Sequence, residues 1–135
     1  MSKDASYKQT LIQYRLEQAR EALNDAQMLY EQNGTPHGVV NRSYYAMFYA
    51  VLALLITIDR GTSKHRGVIA LFDQEFIKQN FFPKEMSEML HRAFDMRLTG
   101  DYREMLKIDK EQAAEILDSA VEFVKSIEEK LSNQS

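Results

Sequence analysis

The sequence predicts an all-α fold, an antiparallel up-and-down bundle of four to five helices. Three long segments repeat apolar residues at alternating spacings of four and three, the pattern of a helix that packs at a shallow angle on its neighbours. Only five glycines and two prolines interrupt the 135 residues. No stretch alternates apolar and polar residues as a half-buried strand would. We therefore expect one helical domain over residues 1–135, with an ordered core from about 6 to 131.

The first helix is predicted from Ser6 to Gln32. Asn33-Gly34 follows as a stop, with Gly34 expected in the left-handed conformation that ends many helices. The apolar stripe of this helix comprises Ile12, Leu16, Ala19, Leu23, Ala26 and Tyr30.

The second helix is predicted from Pro36 to Asp59, with Thr35 as its N-cap. It contains the longest apolar run of the chain, Asn41–Ile58. Two stripes cover most of its circumference, so we expect burial on more than one side. From Tyr44 the run is 15 residues long, shorter than the ~20 that cross a bilayer. The prediction is a central bundle helix and no membrane span. The stripes are Val40, Tyr44, Met47, Val51, Leu54 and Ile58, and Tyr45, Phe48, Leu52 and Leu55.

Three further segments complete the predicted bundle. A third helix is capped by Thr62 or Ser63 and continues to about Gln79, and a fourth begins near Pro83, because the residue before proline avoids helical geometry. The stripe of the fourth helix ends in Arg97, and Gly100 and Asp101 weaken the helix beyond it. Residues 102–106 are left unassigned, and Asp109 caps a fifth helix from Lys110 to Leu131.

The composition of the chain excludes several classes of function. The net charge of −3 and a pI of about 5.6 argue against a general electrostatic grip on nucleic acid but allow a local basic pocket. The absence of cysteine excludes disulfides and thiolate chemistry. The N-terminal residues carry no apolar signal core, so a cytoplasmic protein is expected. The histidines lack metal-ligand spacing and no nucleophile or phosphate-loop motif is present, so no metal or cofactor is predicted.

Two residues break the apolar stripes. Arg97 lies where the fourth helix should be apolar, and a buried guanidinium needs a partner. Asp101, four residues on, offers a helical salt bridge, and an anion or RNA-phosphate site is the alternative. His65 opens the third helix beside Ser63, Lys64 and Arg66, a corner that suits either a solvated helix start or an anion. The tyrosines of the second helix suit the core or a dimer face.

With these residues in view, the chain resembles the HEPN family of small prokaryotic helical proteins. The resemblance is carried by SYYAMFYAVLALL at 43–55, TSKHRGVIALF at 62–72 and RAFDMRLTGDY at 92–102. It implies a helical bundle, a homodimer, and pairing with a minimal nucleotidyltransferase in toxin–antitoxin or defence modules.

The resemblance also implies a possible ribonuclease centre. Many HEPN proteins cleave RNA without metal, using an Arg, a polar residue and a later His that face their copies across a dimer cleft. Arg97 matches that Arg, but Leu98 replaces the polar residue and Tyr102 stands where His is expected. Four residues separate His65 from Arg60, an Arg-x4-His spacing that straddles a loop and the start of the third helix. His65 could also approach Arg97 in the folded dimer. Tyr102 is also a candidate for AMP transfer by a nucleotidyltransferase partner.

Three functions follow, in order of preference. The first is a homodimeric partner of a minimal nucleotidyltransferase that binds nucleotide or RNA with weak or no catalysis. The second is a metal-independent endoribonuclease toxin, and the third is a dimerisation module without ligand. Catalytic candidates are Arg97, His65 and Tyr102, and the candidate nucleotide or RNA contacts are Ser63, Lys64, His65, Arg97, Asp101 and Tyr102.

Overall fold

A computed structural model describes the backbone of residues 3–102 and 108–133, with side chains over 5–98 and 108–133. Within these ranges the chain forms five α-helices and no strand, so the all-α prediction is confirmed. A π-helical turn, Asp73–Ile77, extends the third helix. The α-helices are α1 (Lys3–Glu31), α2 (Pro36–Thr57), α3 (His65–Phe72), α4 (Lys84–Tyr102) and α5 (Lys110–Asn133).

Side-chain contacts between helix ends define the directions in the bundle. Lys8, near the start of α1, pairs with Asp59 just beyond α2 at 2.8 Å. Arg20 of α1 pairs with Glu128 near the end of α5, while Lys110 at the start of α5 donates to Asn33 beyond the end of α1. Helix α1 is therefore antiparallel to both α2 and α5.

The fourth helix is antiparallel to α5 by the same reasoning. Arg92, midway along α4, pairs with Glu115 in the first half of α5 at 2.6 Å. Lys130, near the end of α5, lies over the rings of Phe81 and Phe82, just before α4. The chain thus alternates in direction through α1, α2, α4 and α5.

Helix α2 is the centre of the bundle. It packs against α1, α5, α4 and α3, and eleven of its residues are buried. By length and composition alone it could cross a membrane, but 67% of its most apolar window is buried inside the protein. Burial against four helices explains why it carries so little polar surface.

Local capping interactions confirm two predicted helix starts. The Thr35 hydroxyl accepts from the Gly38 backbone N–H, and Pro36 occupies the first turn of α2. The Asp109 carboxylate accepts from the Gln112 N–H at 2.7 Å, and the Gln112 side chain accepts from the Asp109 N–H at 3.0 Å. This reciprocal pair satisfies two N–H groups that a helix start leaves without partners.

The stop after α1 differs from the prediction. Asn33, with φ of 58°, takes the left-handed conformation, and no described glycine has a positive φ. Asparagine tolerates this region better than most residues. Gly34 instead serves close packing, because a Cβ there would lie 2.8 Å from Leu29 Cδ2. Asp59 and Asn80 adopt the same left-handed geometry after α2 and after the π-helical turn.

The third helix is shorter than predicted and its cap is different. Lys64 is the N-cap and makes no side-chain cap bond, whereas the Thr62 hydroxyl accepts from the Lys64 N–H. Regular α-geometry ends at Phe72 instead of continuing to Gln79. The π-helical turn follows, closed by the Lys78 N–H donating to the Asp73 carbonyl at 2.9 Å.

Other boundaries shift by a few residues. Helix α1 begins three residues earlier than expected, α2 ends two residues earlier, at Thr57, and α4 continues through Gly100 and Asp101 to Tyr102. Of the unassigned residues 102–106, Tyr102 is the last residue of α4, and 103–106 lie outside the described part of the chain.

Candidate functional site

Helices α2, α3 and α4 bring together Tyr44, Tyr45, Phe48, His65 and Arg97, which we call the arginine–aromatic cluster. His65 stacks on Phe48 with ring centroids 4.3 Å apart and planes inclined by 13°. Its ring also lies 5.8 Å from that of Tyr44 and meets Tyr45 edge-on at 5.7 Å. Consecutive residues 44 and 45 therefore contact the same histidine from two sides.

A hydrogen bond of 2.8 Å joins the Tyr44 hydroxyl to His65 Nδ1. Tyr44 is fully buried, and burial raises the pKa of its phenol, because the charged phenolate would lose solvation. Burial lowers the pKa of His65, and the positive charge of Arg97 lowers it further. Both groups are thereby held neutral at neutral pH.

Arg97 completes the cluster from α4. Its Nη2 donates to the Tyr45 hydroxyl at 3.3 Å. The guanidinium carbon lies 5.5 Å from the ring centroid of Tyr44 and 5.2 Å from that of Tyr45. These are cation–π distances, which favour the cation electrostatically. Tyr44 and Tyr45 of α2 thus lie next to the guanidinium of Arg97, the charged group on the otherwise apolar stripe of α4.

Further cations surround the cluster. The Arg42 guanidinium lies 5.1 Å from the Tyr45 centroid, and that of Arg66 lies 5.1 Å from the ring of Phe94, which itself contacts Tyr44. Helices α2 and α3 contain no aspartate or glutamate. These two helices therefore contribute only positive charge to the corner, although the whole chain has a net charge of −3.

The structure brings together two of the predicted site residues, His65 and Arg97, through their shared contacts with Tyr44 and Tyr45. Ser63 and Lys64 are exposed residues that immediately precede α3. The side chains of Asp101 and Tyr102 lie outside the described residues, so the predicted Arg97–Asp101 ion pair remains a prediction. Arg60, which precedes His65 at an Arg-x4-His spacing, pairs with Glu75 at 3.2 Å.

Sequence reasoning missed the part that the tyrosines and Arg42 play in this site. Tyr44 and Tyr45 were expected in the core or at a dimer face, and Tyr44 does lie in the core. Their hydroxyls in addition bond to His65 and Arg97. Arg42 precedes Tyr45 by three residues, a spacing that places both on one helix face. That spacing was an available signal, whereas nothing local connects Tyr44 with His65.

Two other features lie away from the cluster. Asp73 accepts from Ser87 at 2.6 Å and contacts His91 Nε2 at 2.7 Å, which attaches the π-helical turn to α4. In the described part of the chain no group of three His, Asp or Glu residues is placed to hold a metal ion. A groove of about 510 Å³ follows α1, lined among others by Lys8, Ile12, Leu16, Thr57 and Leu131.

Comparison with known proteins agrees with the resemblance in the sequence. A UPF0332 protein of Thermotoga maritima is 40% identical over 121 residues, which cover 90% of this chain and 91% of that protein. A Methanocaldococcus jannaschii protein named "putative toxin" is 38% identical over 102 residues, 76% of this chain and 69% of its own. A second protein of that name and organism is 32% identical over 120 residues, 89% and 88% of the two chains. The model of the HEPN domain matches residues 12–130, and the chain therefore belongs to the HEPN domain family.

Proposed function

We propose that this protein is a toxin-like HEPN module that binds a nucleotide or RNA at the arginine–aromatic cluster, with weak or no catalysis. Membership of the family and the names of two relatives support the toxin-like part. The ligand is proposed from the chemistry of the cluster. We further propose that the module is cytoplasmic and that it pairs with a minimal nucleotidyltransferase, the partner that the family resemblance implies.

One observation carries the ligand proposal. Arg97 and His65 meet on a platform of three aromatic rings, in a corner where Arg42 and Arg66 add positive charge. A guanidinium recognises phosphate oxygens through parallel N–H donors, and bases stack on aromatic side chains. His65 and Arg97 are only partly buried, so a ligand can reach the edge of the platform.

Binding is favoured over cleavage by the residues at the expected ribonuclease positions. Leu98 follows Arg97 where the family motif has a polar residue, and Tyr102 takes the place of the histidine. The phenol of a tyrosine, with a pKa near ~10, accepts a proton poorly at neutral pH. A strong general base is therefore missing from that position.

A homodimer is part of the proposal and has support from α2. Tyr45, Tyr49, Leu52 and Ile56 recur at spacings of four, three and four, and all four are only partly buried. Such a partly exposed apolar stripe, rich in aromatics, is typical of a surface that a second chain covers. Two arginine–aromatic clusters could then face one another. Sedimentation that gives only the 15.7 kDa monomer at micromolar concentration would exclude the dimer.

Binding assays with labelled single-stranded RNA and with AMP test the ligand proposal. Wild-type protein should bind at least one of them, and Arg97→Ala should weaken binding by about tenfold or more, since a charged hydrogen bond contributes ~1.5–3 kcal/mol. Arg92→Ala is the matched control, because Arg92 is an exposed arginine of the same helix. Absence of binding by the wild type, or equal losses in both variants, contradicts the proposal.

The ribonuclease alternative is supported by the proximity of His65 to Arg97, which could assemble an acid–base site from separate segments. The same RNA should then be cleaved, and expression of the wild type should inhibit bacterial growth. If Arg97→Ala leaves cleavage and growth inhibition unchanged, a ribonuclease centred on Arg97 is excluded. Dimerisation with neither binding nor cleavage would favour the ligand-free dimerisation module.

A further inference from the structure

The buried hydroxyl of Tyr44 restricts the proton arrangement of His65. Tyr44 is fully buried, and within the described residues its hydroxyl bonds to His65 Nδ1 at 2.8 Å. A phenol has one hydrogen to donate, and a buried donor without an acceptor is costly. If Nδ1 carried a proton, it would donate to the Tyr44 oxygen. The phenol hydrogen would then lack an acceptor among the described residues. The favoured arrangement has Tyr44 donating to an unprotonated Nδ1.

The charge states of the two groups agree with this arrangement. Burial raises the pKa of Tyr44, so the phenol keeps the hydrogen that it donates. Burial and the charge of Arg97 lower the pKa of His65, so its ring stays neutral and has one N–H. With Nδ1 unprotonated, that hydrogen is on Nε2.

The ring plane is restricted as well. His65 stacks on Phe48 at 4.3 Å and meets the edge of Tyr45 at 5.7 Å, while Tyr44 binds its Nδ1. Three contacts from one helix therefore orient the imidazole before any ligand arrives. A donor held in advance loses less conformational entropy when the ligand binds.

We infer that Tyr44 is a positioning residue that holds His65 as its Nε2–H tautomer, so that His65 and Arg97 donate together to a phosphate group. This inference rests on the proposed nucleotide or RNA binding and adds its chemistry. Both side chains are hydrogen-bond donors, and an oxyanion with several acceptor oxygens can accept from both at once. In this state His65 offers a hydrogen at Nε2 and cannot accept a proton there, which makes the cluster a recognition site for phosphate.

Nitrogen-15 NMR of the histidine rings tests the tautomer without any ligand. At pH 7.5 the wild-type His65 should show a protonated Nε2 and an unprotonated Nδ1. Tyr44→Phe should raise the fraction with a protonated Nδ1, whereas Tyr14→Phe, which removes an exposed phenol hydroxyl from α1, should not. A wild-type His65 protonated at Nδ1 would overturn the inference, whatever the protein binds.

Binding measurements test the donor role. Tyr44→Phe should weaken binding of AMP or RNA by roughly threefold to tenfold, the size of one neutral hydrogen bond, and Tyr14→Phe should leave it unchanged. His65→Gln places an amide N–H near the position of Nε2 and should retain most of the affinity, while His65→Leu should lose it. Equal affinities of the Gln and Leu variants would refute the donor role. Thermal unfolding of each variant verifies that it is folded.

Competition experiments with three different ligands identify the source of the phosphate group. Competition by inorganic phosphate alone indicates recognition of the anion, competition by AMP indicates a nucleotide, and binding of RNA only indicates the polymer. If the wild type shows the Nε2–H tautomer but binds none of these, the proposed function and the donor role both fail, and only the positioning by Tyr44 stands. The two failures are thus distinguishable.

Discussion

Two aromatic clusters in this bundle have similar ring spacings but different surroundings. Phe72, Phe76, Phe82 and Phe123 form one cluster, with centroids 5.4 Å apart for Phe72 and Phe123 and 6.1 Å for Phe72 and Phe82. These four rings are at most 7% exposed. The arginine–aromatic cluster uses the same ring contacts but adds hydroxyls, an imidazole and a guanidinium, and it is partly open to solvent. The comparison separates rings that stabilise the fold from rings that hold polar groups in position.

The largest expected effect is on the phenylalanine cluster. Phe123→Ala removes a fully buried ring and should lower the free energy of unfolding by about 3–5 kcal/mol, measured by urea unfolding. Val121→Ala, a truncation at an exposed site of the same helix, should change it by less than ~0.5 kcal/mol. If the two variants were equally stable, the phenylalanine cluster would not be the stabilising region.

A smaller effect is expected where the phenylalanine cluster meets the π-helical turn. His91→Ala removes the contact with Asp73, and both side chains are partly exposed. The loss should be about 0.2–1 kcal/mol, because solvent weakens such pairs. Glu88→Ala, at an exposed position of the same helix, is the control. A loss well above this range in urea unfolding would mean that the turn depends on Asp73 far more than its exposure suggests.

The smallest expected effect is a pH dependence that arises in the arginine–aromatic cluster. Because the pKa of folded His65 is lowered, the unfolded chain binds a proton there more readily than the folded protein does. The stability contribution is fully present above the unfolded pKa of ~6.5 and is lost as the pH falls toward the folded pKa. His65→Gln should reduce this loss between pH 7.5 and acidic pH in thermal unfolding. Identical pH profiles for the two proteins would show that His65 does not contribute.

The sequence predicted the features of the fold that depend on neighbouring residues. Apolar stripes located the helices, and residue type and position identified Thr35 and Asp109 as caps. Each accepts from a backbone N–H only three residues away. The π-helical turn was missed, since the contacts of Asp73 are with Ser87 and His91, far along the chain. A helical period gives no signal for contacts of that range.

The sequence likewise predicted only some residues of the candidate site. Arg97 and His65 stood out because each places a polar group on an apolar stripe. Their partners did not, because Tyr44 lies 21 residues from His65 and Tyr45 lies 52 residues from Arg97. Aromatic residues on a core stripe look alike in sequence whether or not their hydroxyls hold a functional group. Only the tertiary arrangement separates the two cases.

The left-handed turn at Asn33 has a consequence for the chemical lifetime of the protein. Asn-Gly is the dipeptide most prone to deamidation, in which the following backbone nitrogen attacks the asparagine side-chain carbonyl. Here the Gly34 nitrogen donates to the Leu29 carbonyl at 2.6 Å, and the Asn33 side-chain oxygen accepts from Lys110 at 2.7 Å. The Leu29 carbonyl holds the Gly34 N–H, so the nitrogen is poorly placed to lose that hydrogen and attack, and the turn slows deamidation of Asn33.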